Sequence, residues 1–338
     1  MKAKPFVAIN IVPTGIAASI GGYAGDAGPA NRLIASCVDL LIANPNVVNA
    51  AIMHNIPSNM LYTEGYTLDS FCKGNIALRQ KKFNKIGVVF DRGIPEEVIN
   101  MHINAINACK SVYGINIPEY LVTDKPVNVE YYLTDDGYST GAPQNTQTLL
   151  EASQALIKKG IEALAVVCFF PDYEGEDLYS KGQCADPAGG AEAIISHIVS
   201  QEFSIPCAHA PAFSIKESMP SFEIVDPRAA AEYISPVFLP SVIAGLNQAP
   251  AIIDIQDKTA FDLTIDDACV IVTPCDCLGS VPVLSFIERN KTVLAVRENM
   301  TVFDVTAENL KITGKIKSVD SYLEACKHII IMHASAKP

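Results

Sequence analysis

The sequence predicts an α/β protein: mainly parallel sheet with helices on both faces. Three observations predict it. Short apolar, β-branched runs recur along the whole chain, each closes on Gly, Pro or Asp, and helical segments fill the intervals. Strands covered on both faces read this way because neither side meets water, so apolar residues do not alternate with polar ones.

In chain order the expected strands are Phe6–Val12, Val47–His54, Ile86–Phe90, Tyr120–Thr123, Ala163–Phe170, Ile205–His209, Cys269–Thr273 and Thr292–Val296. Phe6–Val12 reads as a buried strand rather than a leader, because Pro13 interrupts it and no long apolar region with a small-residue cleavage site follows. Helix starts are expected at Pro29, at Pro95 with Glu96 and Glu97, near Asn145, at Pro187, and at Asp226 with Pro227. Proline, capping and acidic side chains suit a helix N-terminus, where backbone N–H groups are free and the dipole is positive. From Asp124 to Gln144 the rhythm gives way to Tyr, Thr, Asp, Gly and Pro, with a hairpin expected at Asp136-Gly137. This stretch is the best candidate boundary, dividing the chain into lobes 1–140 and 141–338; a surface insertion within one domain is the alternative. Ser214–Val225 reads as a loop that could cover a site.

Composition narrows the function. Among 338 residues, 25 Lys and Arg against 37 Asp and Glu give a net charge of −12, which repels polyanions and argues against nucleic acid or an anionic membrane as the main partner. The longest apolar run, Ala163–Phe170, is far below the ~18 residues of a membrane helix. Ten cysteines without a leader point to a reducing compartment, with the cytoplasm as the expected location.

Two segments share a layout of strand, Pro, Gly-rich loop, Asp, helix, strand and His. One runs from VPTGIAASIGGYAGDAGP to His54, the other from FPDYEGEDLYSKGQCADPAGG to His209, matching Asp26 with Asp186. The echo suggests two pseudo-repeated Rossmann-like lobes with loops at the carboxyl ends of parallel strands, where open α/β sheets hold ligands. Any βαβ unit reads somewhat like this.

The loop Gly15–Gly28 is the most distinctive local feature. Thr14, Gly15, Gly21, Gly22 and Gly25 could let successive amides converge on a phosphate or carboxylate ahead of a helix N-terminus. It matches neither a Walker A loop nor a G-x-G-x-x-G fingerprint. A tight structural turn is the alternative. His54 and His209 close apolar strands and, with Asp26 and Asp186, could line the site or transfer protons; a structural histidine and a helix cap are the plain readings. Cys275 and Cys277 follow a strand near a helix start, where a thiol pKa falls, whereas Cys168 reads as core. Arg297 could clamp a carboxylate and Glu298 could act as acid or base. His102 and His197 lie on expected helices and read as packing residues, and Arg228 as a surface pair. Structural zinc is not expected, since there is no CxxC or HExxH. Asp26, Asp186 and Asp276 are the carboxylates open to a divalent ion, and no motif names a cofactor.

The segments VPTGI, GGYAGDAGP, DPAGGAEAIISHIV, PCAHAPAF, DPRAAAEY and LAVRENMTV, in this order, resemble a family of uncharacterised bacterial proteins described only as a domain of unknown function. The resemblance spans Phe6 to His333 and implies no activity. The turn Cys275-Asp276-Cys277-Leu278 departs from the more Gly- and Ala-rich turn of that family.

The leading expectation is an enzyme of isomerase, lyase or hydrolase type, without nicotinamide, acting on a small anionic metabolite. His209 and Asp26, with Cys277 or Glu298, would move protons while the glycine loop holds the anion. A non-catalytic ligand-binding or regulatory protein is the runner-up, and a homo-oligomer is compatible with either. A nucleotide-dependent transferase is disfavoured by the missing Walker lysine.

Overall fold

The computed structural model describes residues 4–22, 27–44, 56–135, 137–172, 176–214, 224–226 and 237–336. The expected α/β class is what it shows: two parallel sheets, each flanked by helices, with two short antiparallel ribbons.

The larger sheet has six strands, β1 (Val7–Asn10), β2 (Leu40–Ala43), β3 (Met60–Tyr62), β12 (Ala268–Pro274), β13 (Thr292–Val296) and β14 (Lys317–Val319). Their spatial order is β14-β13-β12-β1-β2-β3, and every pairing is parallel. This is a doubly wound order: the chain moves outward from β1 one way, then returns beside β1 and moves the other way. The crevice between the carboxyl ends of β1 and β12 is therefore the topological switch point, where ligands of open α/β sheets sit. β1 and β2 are buried throughout, as their unbroken apolar runs require.

One face of this sheet is covered by α1 (Gly28–Ala35) and α9 (Tyr322–Ala336), the other by α2 (Gly65–Lys73) and α8 (Val281–Glu288). The smaller sheet has the order β10-β9-β5-β6, with β5 at Ile86–Phe90, β6 at Glu119–Val122, β9 at Ala163–Phe169 and β10 at Cys207–Ala212. Helices α4 (Thr146–Lys158) and α6 (Gly189–Phe203) cover one side of it; α3 (Glu96–Tyr113) and α7 (Leu239–Leu246) cover the other. The short helix α5 spans Glu176–Ser180.

Between the sheets, β4 (Ile76–Arg79) carries the chain out of the larger unit and β11 (Ala251–Asp254) brings it back. The two pair antiparallel, Ala251 opposite Arg79. Arg79 is also clamped by Asp262, Nε and Nη2 donating to its two oxygens at 2.7 and 2.8 Å, which holds that carboxyl well below its ordinary range. The texture change at 124–144 is a hairpin of β7 (Val129–Leu133) and β8 (Ser139–Pro143), turning at Gly137 with φ of +79°. Residue 140 lies within β8, and both sheets pair strands from the two sides of it.

Expected strands and structure coincide within a few residues for β1, β5, β6, β9, β10, β12 and β13. The expected strand Val47–His54 and the helix start at Pro227 fall outside the described residues. β2, β3 and α2 were not anticipated, because each is too short, at four, three and nine residues, to show a clear period. Helices α1, α3, α4 and α6 begin within two residues of the expected positions, Pro29, Pro95, Asn145 and Pro187. All ten cysteines are free thiols, and no described helix is long and apolar enough to cross a membrane.

Candidate functional site

At the end of β1 the chain turns through Pro13, Thr14 and Gly15. Gly15 has φ of +69°, and a Cβ there would lie 3.0 Å from the Cβ of Asp186. The contact is also bonded: the Asp186 N–H donates to the Gly15 carbonyl at 2.7 Å. The two loops of the sequence echo therefore touch. Glycine is required here for both backbone angle and space.

In the rest of the described loop three amides are already bonded within the protein. The Ser19 amide donates to the Met300 carbonyl at 2.8 Å, the Ile20 amide to Asn299 Oδ1 at 2.9 Å, and the Gly22 amide to Ala18 at 3.1 Å. Asn299 reciprocates from Nδ2 to the Ile20 carbonyl at 2.8 Å. An amide already bonded to protein is lost to a ligand. Gly21 has φ of +110°, and a Cβ there would lie 2.6 Å from the Pro13 carbonyl oxygen, so the turn requires glycine. Thr14 keeps a buried Oγ1 with no partner among the described residues. Gly25, Asp26 and His54 lie outside the described residues.

What converges instead is a cluster of acids and imidazoles between the two units. Helix α6 starts just after Asp186, whose Oδ1 accepts the Ala188 amide at 2.8 Å. Glu192 and Ser196 are four residues apart on α6, one turn, and so share a face. That face meets His209 on β10: Ser196 Oγ lies 2.9 Å from Nδ1 and Glu192 Oε2 lies 3.4 Å from Nε2. From the larger unit, Glu64 caps the start of α2 directly after β3 and is 7% exposed. Its carboxylate accepts the Tyr62 hydroxyl and the Gly65 amide. His197 faces the same helix end, since a Cβ on Gly65 would come within 2.9 Å of its Nε2.

These groups perturb one another. Burial raises the Glu64 carboxyl, with the charge of Glu192 adding to it and His209 opposing. Burial and the charge of Glu192 push Asp186 up to about 7. Burial alone would lower His209, but its contact with Glu192 and the charges of Glu192, Glu64 and Asp186 hold it above the ordinary imidazole range. His197 goes the other way, down to about 4, through burial and the charge of His209. The cluster thus sets an imidazole biased towards its protonated form beside one biased towards its neutral form and a carboxyl raised to about 7, a combination able to give and take protons. Tyr62, Glu64, Thr67 and Cys207 line a tight gap beside it that leaves no room for a water molecule in this conformation.

The remaining expected residues do not join this cluster. Cys277 was expected to have a lowered pKa; burial and the neighbouring Asp276 instead push it up to about 11. Cys275 is raised for the same two reasons. Arg297 pairs with Asp320 at 2.5 Å on the surface, and Glu298 Oε1 accepts the Tyr322 amide at 2.6 Å, tying β13 to the start of α9. Both are engaged more than 20 residues away in sequence, which local reading does not see. Among the described residues no group of three or more His, Cys, Asp or Glu is arranged to hold a metal ion.

Of the residues expected from the sequence, His209 and Asp186 lie in this cluster and Gly15 packs against Asp186, whereas Glu64, Glu192 and Ser196 were not anticipated. Glu192 and Ser196 had a readable signal in their one-turn spacing on the helix preceding the His209 strand. Glu64 had none, because the short β3 before it was not recognised.

Tyr62 is positioned by close packing on α7, where a Cβ on Gly245 would sit 2.6 Å from the Tyr62 ring. Gly245→Ala should cost about 1–3 kcal/mol by overpacking and loosen the hydroxyl from Glu64. Urea unfolding measures this; an unchanged midpoint would show that the ring moves aside freely.

Comparison with known proteins agrees with the resemblance in the sequence. A protein from Synechococcus sp. (strain ATCC 27144 / PCC 6301 / SAUG 1402/1), named as an uncharacterized lipoprotein, is 36% identical over 341 residues, covering all of this chain and 94% of the relative. No solved structure matches. The family model described as "Protein of unknown function (DUF3326)" matches residues 7–338, and the chain belongs to that family.

Proposed function

We propose that this protein is an enzyme that moves a proton on a small metabolite, with His209 as the acid–base group. The observation that carries the reading is the imidazole of His209 held between Ser196 and Glu192, beside two further buried carboxyls, at the junction of two parallel sheets. Such a cluster costs stability to assemble, because buried like charges repel. Acids and bases perturbed by burial together with a specific charged partner are characteristic of functional sites.

Glu192 orients and polarises the imidazole, Ser196 fixes its other nitrogen, and Asp186 or Glu64 serves as the second proton carrier. This chemistry fits isomerisation, elimination or hydrolysis. An anionic substrate group would be met by the imidazole of His209, whose charged form the surrounding acids favour, since the groups perturbing the cluster are its own acids and imidazoles rather than Lys or Arg.

The test is solvent isotope incorporation. Incubated with a metabolite extract in heavy water, the native protein should alter at least one compound or introduce deuterium into it, read by mass spectrometry. His209→Asn and Glu192→Gln should each lower the rate by about 100-fold or more, the usual contribution of a positioned acid or base. No change in any metabolite, or equal activity in His209→Asn, would remove the assignment.

A further inference from the structure

We propose that the groove between α1 and α9 is a homodimer interface, filled by the same groove of a second copy of this chain about a two-fold axis.

Helix α9 turns Tyr322, Ala325, Cys326 and Ile329 into the core. That stripe, at spacings of three and four residues, accounts for its place on the sheet. A second stripe at similar spacing, Leu323, Lys327, Ile330 and Ile331, points outward. Leu323 is 69% exposed, Ile330 and Ile331 53% each. A helix covering one sheet face needs one apolar side, and an outer layer normally turns a polar side to water. The exposed stripe borders a groove of about 700 Å³ whose other wall is Leu33, Ser36 and Cys37 from α1.

The charges on this face select the occupant. It carries one acid and one base, Glu324 and Lys327, beside the apolar residues. In an isologous contact each patch meets its own copy, so antiparallel α9 helices set Lys327 against the partner's Glu324 and the reverse. Lys327 has no ion pair among the described residues; Glu324 Oε2 accepts the Asp320 amide at 2.7 Å, and its Oε1 lies 4.0 Å from His328 and has no Lys or Arg partner among the described residues. An anionic bilayer fits poorly, because the chain carries a net charge of −12 and Glu324 faces the groove.

Sedimentation velocity of the full chain up to about 100 µM tests the proposal. The native chain should form a concentration-dependent dimer. Ile330→Asp should weaken it at least about 100-fold and Lys327→Glu about 10-fold. Combining Lys327→Glu with Glu324→Lys should recover most of the loss from the single charge reversal. Circular dichroism checks folding, and the charge variants decide the matter if Ile330→Asp unfolds. A native chain that stays monomeric, a dimer indifferent to Ile330→Asp and Lys327→Glu, or a monomer that binds phosphatidylglycerol vesicles through Ile330 would each overturn it.

Discussion

Replacing Asp91 by alanine should destabilise the protein by about 3 kcal/mol or more, given roughly 1–3 kcal/mol for each buried donor left without an acceptor. Asp91 is 1% exposed and follows β5 at the point where the smaller sheet reverses its strand order. Its Oδ1 accepts the Gly93 and Val127 amides, each at 2.8 Å, and its Oδ2 accepts the Phe169 amide at 3.1 Å. Alanine strands all three donors, although it also removes the cost of burying a charge. Asp91→Asn keeps Oδ1 and should lose clearly less. Thermal and urea unfolding decide; a loss below about 1 kcal/mol for alanine would mean the three bonds are replaced by water. At the switch point of this sheet the protein's own carboxylate takes the loop amides.

Asp186→Asn should stabilise the protein at pH 8 and leave it nearly unchanged at pH 4. The folded-state pKa of Asp186, about 7, lies above its ordinary value of 3.8, so between these values the native state holds a proton that the unfolded state has released. Stability from this group is therefore fully present below 3.8 and lost as pH rises towards 7. The loss reaches up to about 4 kcal/mol, since each tenfold change in proton affinity is worth about 1.4 kcal/mol. His209, also raised, contributes in the same direction: its stabilisation is complete below the ordinary imidazole value and lost as pH rises through the folded one. His197, lowered to about 4, opposes them by adding stability as pH rises from about 4 to 6.5. The difference between variant and native protein reports Asp186 together with its coupling to His209, whose raised value rests in part on the Asp186 charge. Asn retains an oxygen for the Ala188 amide, so the turn before α6 survives. Melting curves from pH 4 to 8 should diverge with rising pH; parallel curves would show that Asp186 is not a buried acid of the cluster.

The fold was largely legible because doubly covered strands must be apolar on both sides, and runs such as Ala163–Phe169 record that directly. Short strands without punctuation, such as Met60–Tyr62, leave too little pattern to find. The site was legible in part. Asp186 and Gly15 stood out in glycine-rich loops, and His209 at the end of an expected strand. Arg297 and Glu298 looked equally chemical, yet Asp320 and Tyr322 occupy them.

By itself the sequence determined the α/β class, the positions of most long strands and helices, and the hairpin near Gly137. These depend on local periodicity and backbone angle, each readable one window at a time. Only the tertiary structure decided which acids share a space, which loop amides are already bonded, and that Cys277 is raised rather than lowered. Such properties arise from groups distant in the chain brought together in a low-dielectric interior, where burial and neighbouring charge set chemistry that residue type alone does not.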